Sequence, residues 1–148
     1  MKRSQTVGLL TVALSKCHME LNKMEVDRAG YNFKYLTLAK IYEVALPVLS
    51  KNGIALSSSS NVFVRDEGPW VKVTTTIFCE NEFISNEMSF PLIEPTKKTD
   101  TDIMMLGSTV SYLTRYNVQT LLSIAGSDKE AEDMHKESIE SNEEMKLK

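Results

Sequence analysis

Apolar positions recur at threes and fours over residues 4 to 26, where Val7, Leu10, Leu14, Cys17, Leu21 and Met24 share a stripe and predict an amphipathic helix. Core packing is the plain use of that stripe, and an oligomer seam is the alternative. Val26-Asp27-Arg28-Ala29-Gly30 breaks the rhythm, with Gly30 as a stop. A second helix is predicted after Thr37, a candidate N-cap, with Leu38, Ile41, Ala45 and Val48 on one face. Pro47 should kink that helix or begin its last turn, and Gly53 should end it. The period then changes to two. Ile54 to Val64 reads as a strand running through four consecutive serines, and Arg65 to Pro69 as a turn. Trp70 to Cys79 is a β-branched strand with Val71, Val73, Thr75 and Ile77 on one face. Glu80-Asn81-Glu82 turns the chain, and Phe83 to Leu92 returns with Ile84, Met88, Phe90 and Leu92 alternating around Asn86. Pro91 suits an edge strand. A polar loop at 94–101 leads into the longest pattern, in which Ile103, Leu106, Val110, Leu113, Leu121 and Ile124 form a stripe interrupted only by Asn117. The order is helix, helix, three antiparallel strands, helix: an α+β chain with a β-β-β-α core and no internal repeat.

Composition changes this picture only at the end of the chain. With 148 residues, 42% apolar and 25% charged, the chain reads as one ordinary domain with a real core, residues 1–126, followed by a tail, residues 127–148. The tail holds eight acidic and four basic side chains, a net of −4, whereas residues 1–126 hold 12 acidic and 13 basic, a net of +1. A charged stretch so poor in apolar residues predicts a solvated helical extension or a mobile tail. The formal net charge of −3 therefore does not exclude nucleic acid, because a neutral body can carry a local basic groove. No run of about 18 apolar residues suggests a membrane span. Met1-Lys2-Arg3-Ser4-Gln5-Thr6, followed by a pattern broken at Lys16 and His18, does not read as a signal peptide. Two cysteines, Cys17 and Cys79, sit inside apolar elements, which points to a reducing cytoplasm rather than a disulfide framework.

Catalytic patterns are missing. Gly107-Ser108 lacks the upstream glycine and the lysine of a phosphate loop. His18 and His135 stand apart from any cysteine or carboxylate set at metal-ligand spacing. The expectation is a non-enzyme with no catalytic residue, no metal and no cofactor; an ATPase, a nuclease and a zinc enzyme are disfavoured. Binding chemistry does remain. Opposite the apolar stripe of the last helix lie Ser108, Tyr112, Arg115 and Gln119, with Tyr116 close by. An arginine flanked by tyrosines and hydroxyls suits a surface that grips phosphates and stacks on bases. The competing reading is a core helix with half-buried tyrosines and a solvated arginine.

The run Gly107-Ser108-x-x-x-Tyr112-x-x-Arg115-Tyr116-x-x-x-x-Leu121-Leu122-x-Ile124 resembles the signature helix of the ERF family, phage and prophage proteins that anneal complementary single strands. A second block is similar to the family's entry and first long helix: Tyr31-Asn32-Phe33-Lys34-Tyr35-Leu36-Thr37-Leu38, then Pro47-Val48-Leu49 and Asn52-Gly53. The acidic stretch after Ala125-Gly126 agrees as well, and the resemblance spans roughly residues 5 to 133. There are departures. Thr114-Arg115 stands where many members have two arginines, and Met104 and Met105 stand where a glutamine often precedes the glycine-serine pair. The resemblance implies the core of ring-forming annealing proteins, with a long helix packed across a curved sheet. It also implies single-stranded DNA as partner, a homo-oligomeric ring or arc, annealing without ATP, and the cytoplasm of a bacterial host. A phage exonuclease or a host single-strand-binding protein is a candidate further partner. DNA-binding candidates are Lys34, Tyr35, Lys72, Lys97, Lys98, Tyr112, Arg115 and Tyr116. Against each stands a plainer use: solubilising charge for Lys72, Lys97 and Lys98, core packing for Tyr35 and Tyr112. Phe33 and Trp70 read as packing residues. The competing function is a phage protein–protein adaptor that keeps the fold without the DNA groove, favoured by the missing arginine and the acidic tail.

Overall fold

The computed structural model describes residues 1–27, with side chains to Leu21, then residues 37–92, 101–124 and 146. The alternating segments pair into one antiparallel meander of β2 (Ala55–Arg65), β3 (Gly68–Cys79) and β4 (Glu82–Pro91). A two-residue strand, β1 (Lys2–Arg3), adds to the far side of β4, giving the order β1-β4-β3-β2. Three helices complete the described chain: α1 (Gly8–Asp27), α2 (Leu38–Lys51) and α3 (Asp102–Leu122). The α+β class and the β-β-β-α order of the sequence are therefore present, with α1 starting at Gly8 rather than residue 4.

Each turn has an identifiable local cause. Asp66 and Glu67 join β2 to β3, with Gly68 at φ 124°, a backbone conformation that L side chains rarely adopt. Thr37 caps α2 as predicted, its hydroxyl accepting from Lys40 N at 3.2 Å. Pro47 lies inside α2, on its exposed side near the last turn, and Gly53 at φ 76° ends the helix. Glu82, read as part of a turn, instead opens β4. It is buried, and its Oε2 accepts from Leu10 N at 2.8 Å, so a carboxylate faces the positive end of α1. Ser4 ties the same corner together, its hydroxyl accepting from Phe83 N at 2.9 Å.

All three helices cover one face of the sheet. Leu10, Cys17 and Leu21 of α1 meet Ile41, Ala45, Val48 and Leu49 of α2, Ile77 of β3, and Val118 and Leu122 of α3 in the main core. The first half of α3 rests on β3 in a smaller cluster, where Leu113 packs against Val71 and Val73. Asn117, the polar break in the α3 stripe, is fully buried and pins the helix to the sheet. Its Nδ2 donates to Val73 O at 2.9 Å and its Oδ1 accepts from Asn86 Nδ2 at 2.9 Å. Two expectations need correction. Ile103 is 77% exposed, because it lies one turn before Leu106, where α3 first reaches the sheet. Strand β4 is an edge only towards Pro91, since β1 pairs with Ile84 and Ser85; among the described residues β2 is the sheet's long bare edge.

Candidate nucleic-acid interface

The exposed side of α3 carries a compact arginine–tyrosine cluster. Tyr112 and Tyr116, one turn apart, are 46% and 40% exposed. The Arg115 guanidinium carbon lies 5.2 Å from the Tyr112 ring centroid and 5.0 Å from that of Tyr116, within cation–π range of both. One guanidinium nitrogen donates to the Tyr116 hydroxyl at 3.3 Å. Arg115 itself is only 8% exposed. The competing reading thus holds for the half-buried tyrosines and is corrected for the arginine: the cation is tucked in beneath rings that partly face solvent. The helix accounts for this. Arg115 sits on the flank of α3 beside Val118 and Leu122, both inside the main core, so its stem follows them inward. Ser108 is exposed and Gln119 half-buried on the same side.

Lys72 lies elsewhere. Side chains of β3 alternate, so Val71, Val73, Thr75 and Ile77 point to the helices while Trp70, Lys72, Thr74, Thr76 and Phe78 point the other way. That second face carries no helix among the described residues. Register places Phe63 opposite Trp70 and Asn61 opposite Lys72. The Phe63 and Trp70 rings are 6.4 Å apart and inclined by 34°. Arg65 lays its guanidinium carbon 4.2 Å from the Trp70 ring centroid and 5.3 Å from that of Phe63, and Lys72 Nζ lies 6.0 Å from Phe63. Trp70, read from the sequence as a packing residue, thus lies half-buried on the open face rather than in the core. Phe63 and Arg65 were not singled out from the sequence. Their signal was available in the strand register, which sets both on the side of Trp70 and Lys72.

Lys34, Tyr35, Lys97 and Lys98, and the tail from Ser127 apart from Lys146, lie outside the described residues. Of the candidates that are described, α3 brings together Tyr112, Arg115 and Tyr116, and the sheet separates them from Lys72. Among the described residues, no group of three or more histidine, cysteine or acidic side chains could hold a metal ion. No described helix is long and apolar enough to cross a membrane. Cys17 is buried and free, and burial raises its thiol pKa above the ordinary value, with the Glu20 charge adding to the effect.

The described residues thus form an α+β sheet covered on one face, with a long helix α3 that presents two exposed tyrosine rings around a buried arginine. The family model of the ERF superfamily matches residues 11–148, nearly the whole chain, and the chain belongs to that superfamily of single-strand annealing recombination proteins. No curated protein and no solved structure matches it.

Proposed function

We propose that this protein binds single-stranded DNA and anneals complementary strands without ATP. The observation that carries the reading is the pair of outward rings, Tyr112 and Tyr116, held one turn apart around Arg115 on the signature helix of an annealing family. Exposed rings stack on bases of any identity. The guanidinium between them contributes a fixed positive charge close to where a phosphate would lie. Lys34, Tyr35, Lys97 and Lys98 are assigned to the same strand on resemblance, and residues 127–148 to a separate acidic tail. A ring or arc of copies fits the edge of β2, which no other described strand covers and next to which Val62 and Val64 are exposed. The proposed setting is the cytoplasm of a bacterial host during phage recombination, with a phage exonuclease or a host single-strand-binding protein as further partner.

Mixing two labelled complementary oligonucleotides with saturating protein tests this directly. The expected result is annealing well above the spontaneous rate, unchanged by nucleotide, and a light-scattering mass several times 16.7 kDa. Annealing at the spontaneous rate would sink the proposal. The burial of Arg115 favours a second reading, the adaptor, in which the Tyr112–Tyr116 surface meets protein; that reading predicts no oligonucleotide binding at all.

A further inference from the structure

We infer that the open face of the β2–β3 hairpin is itself a seat for single-stranded DNA, formed by Phe63, Arg65, Trp70 and Lys72, on the side of the sheet opposite α3. The inference rests on the reading that the chain binds single strands, and it names a second place for bases, across the sheet from Tyr112 and Tyr116. Four observations carry it. The aromatic pair lies on the sheet face that no described helix covers. Arg65 is exposed and its guanidinium carbon lies 4.2 Å from the indole centroid, so a solvent-reachable cation is held over the ring where a base would stack. Lys72 stands in the next cross-strand row, within reach of the phosphate joined to a base seated there. Neither cation makes a salt bridge among the described residues, even though Asp66, Glu67 and Glu87 are exposed close by. Within that set their charge is open to an anion, and those carboxylates hold a polyanion to this one patch rather than the whole hairpin. Beyond Lys72 the face continues as Ser57, Ser59, Asn61, Thr74 and Thr76, uncharged groups along which a strand can pass without a sequence-reading contact.

The occupant must have unpaired bases, since a duplex hides its ring faces. Trp70 is the chain's single tryptophan, so its fluorescence reports this patch alone. The experiment titrates a dye-labelled oligothymidylate into the full chain and follows label anisotropy and Trp70 emission together. Both should saturate at the same oligonucleotide concentration. Arg65→Ala and Trp70→Ala should each weaken binding roughly tenfold, and Lys72→Ala should flatten the salt dependence by about one unit. Arg65 is exposed, so Arg65→Ala should leave the circular dichroism unchanged; if Trp70→Ala fails to fold, Arg65→Ala and Arg65→Lys decide, because an ammonium cannot stack. If anisotropy rises while Trp70 emission stays flat and the Arg65 variants bind normally, the seat is overturned and single-strand binding stands. No anisotropy change at all would overturn both. Emission that follows protein concentration rather than oligonucleotide would give the patch to a second copy of the chain and overturn the proposal.

Discussion

Asn117 joins α3 to the sheet through its side chain. An asparagine inside an apolar stripe breaks the pattern when read as sequence, yet it makes the two hydrogen bonds that join α3 to both β3 and β4. Asn117→Ala should leave the Asn86 amide short of a partner in a half-buried site and open a small void, costing about 2–3 kcal/mol in chemical denaturation. A loss below about 0.5 kcal/mol would show that the helix docks without it. Arg115 carries a different lesson. Its spacing with Tyr112 and Tyr116 was legible; its burial was not, because the spacing says nothing of which core residues flank it. Arg115→Ala should therefore cost about 2 kcal/mol of stability through the two lost ring contacts, seen as a lower melting temperature, while flattening the salt slope of DNA binding by no more than about one. Thr114 next to it is buried and donates to Val110 O at 2.7 Å. A second arginine at that position would enter the contact between helix and sheet.

Among the elements, the sequence was most readable where period and punctuation coincide. Thr37 and Gly53 bound α2, and Trp70 to Cys79 alternates without a break because the strand is covered on one side only. Two-residue β1 was invisible, since Lys2 and Arg3 pair through backbone alone and leave no pattern. Glu82 was read as turn because its charge suggested exposure; the end of α1 that it faces lies far away in sequence. The end of α3 is where a single change should help. Ser123 holds a left-handed backbone at φ 56°, closing the helix through Ile124 N to Gln119 O at 2.9 Å. Glycine adopts that conformation without a Cβ penalty, so Ser123→Gly should raise stability by about 0.5–1 kcal/mol. A lower melting temperature would mean that the serine side chain matters in its own right.

At the scale of the whole molecule, charge divides the chain. Residues 127–148 carry eight acidic against four basic side chains, the sign that DNA repels. Deleting them should keep the circular dichroism of residues 1–126 and tighten oligonucleotide binding most at low salt, where repulsion is least screened. Equal affinity at low salt would leave the tail no part in DNA competition. The two rims of the sheet also differ. Among the described residues the outer side of β2, an 11-residue strand paired to β3 along its length, is open; β4 is occupied at Ile84 and Ser85 and interrupted at Pro91, which has no N–H to give. Joining β2 to β2 satisfies both partners and stops at two copies. Joining β2 to β4 leaves a fresh rim on each newcomer and stops only when the circle closes. The number of copies counted in solution, two or many, therefore tells which rim the protein uses.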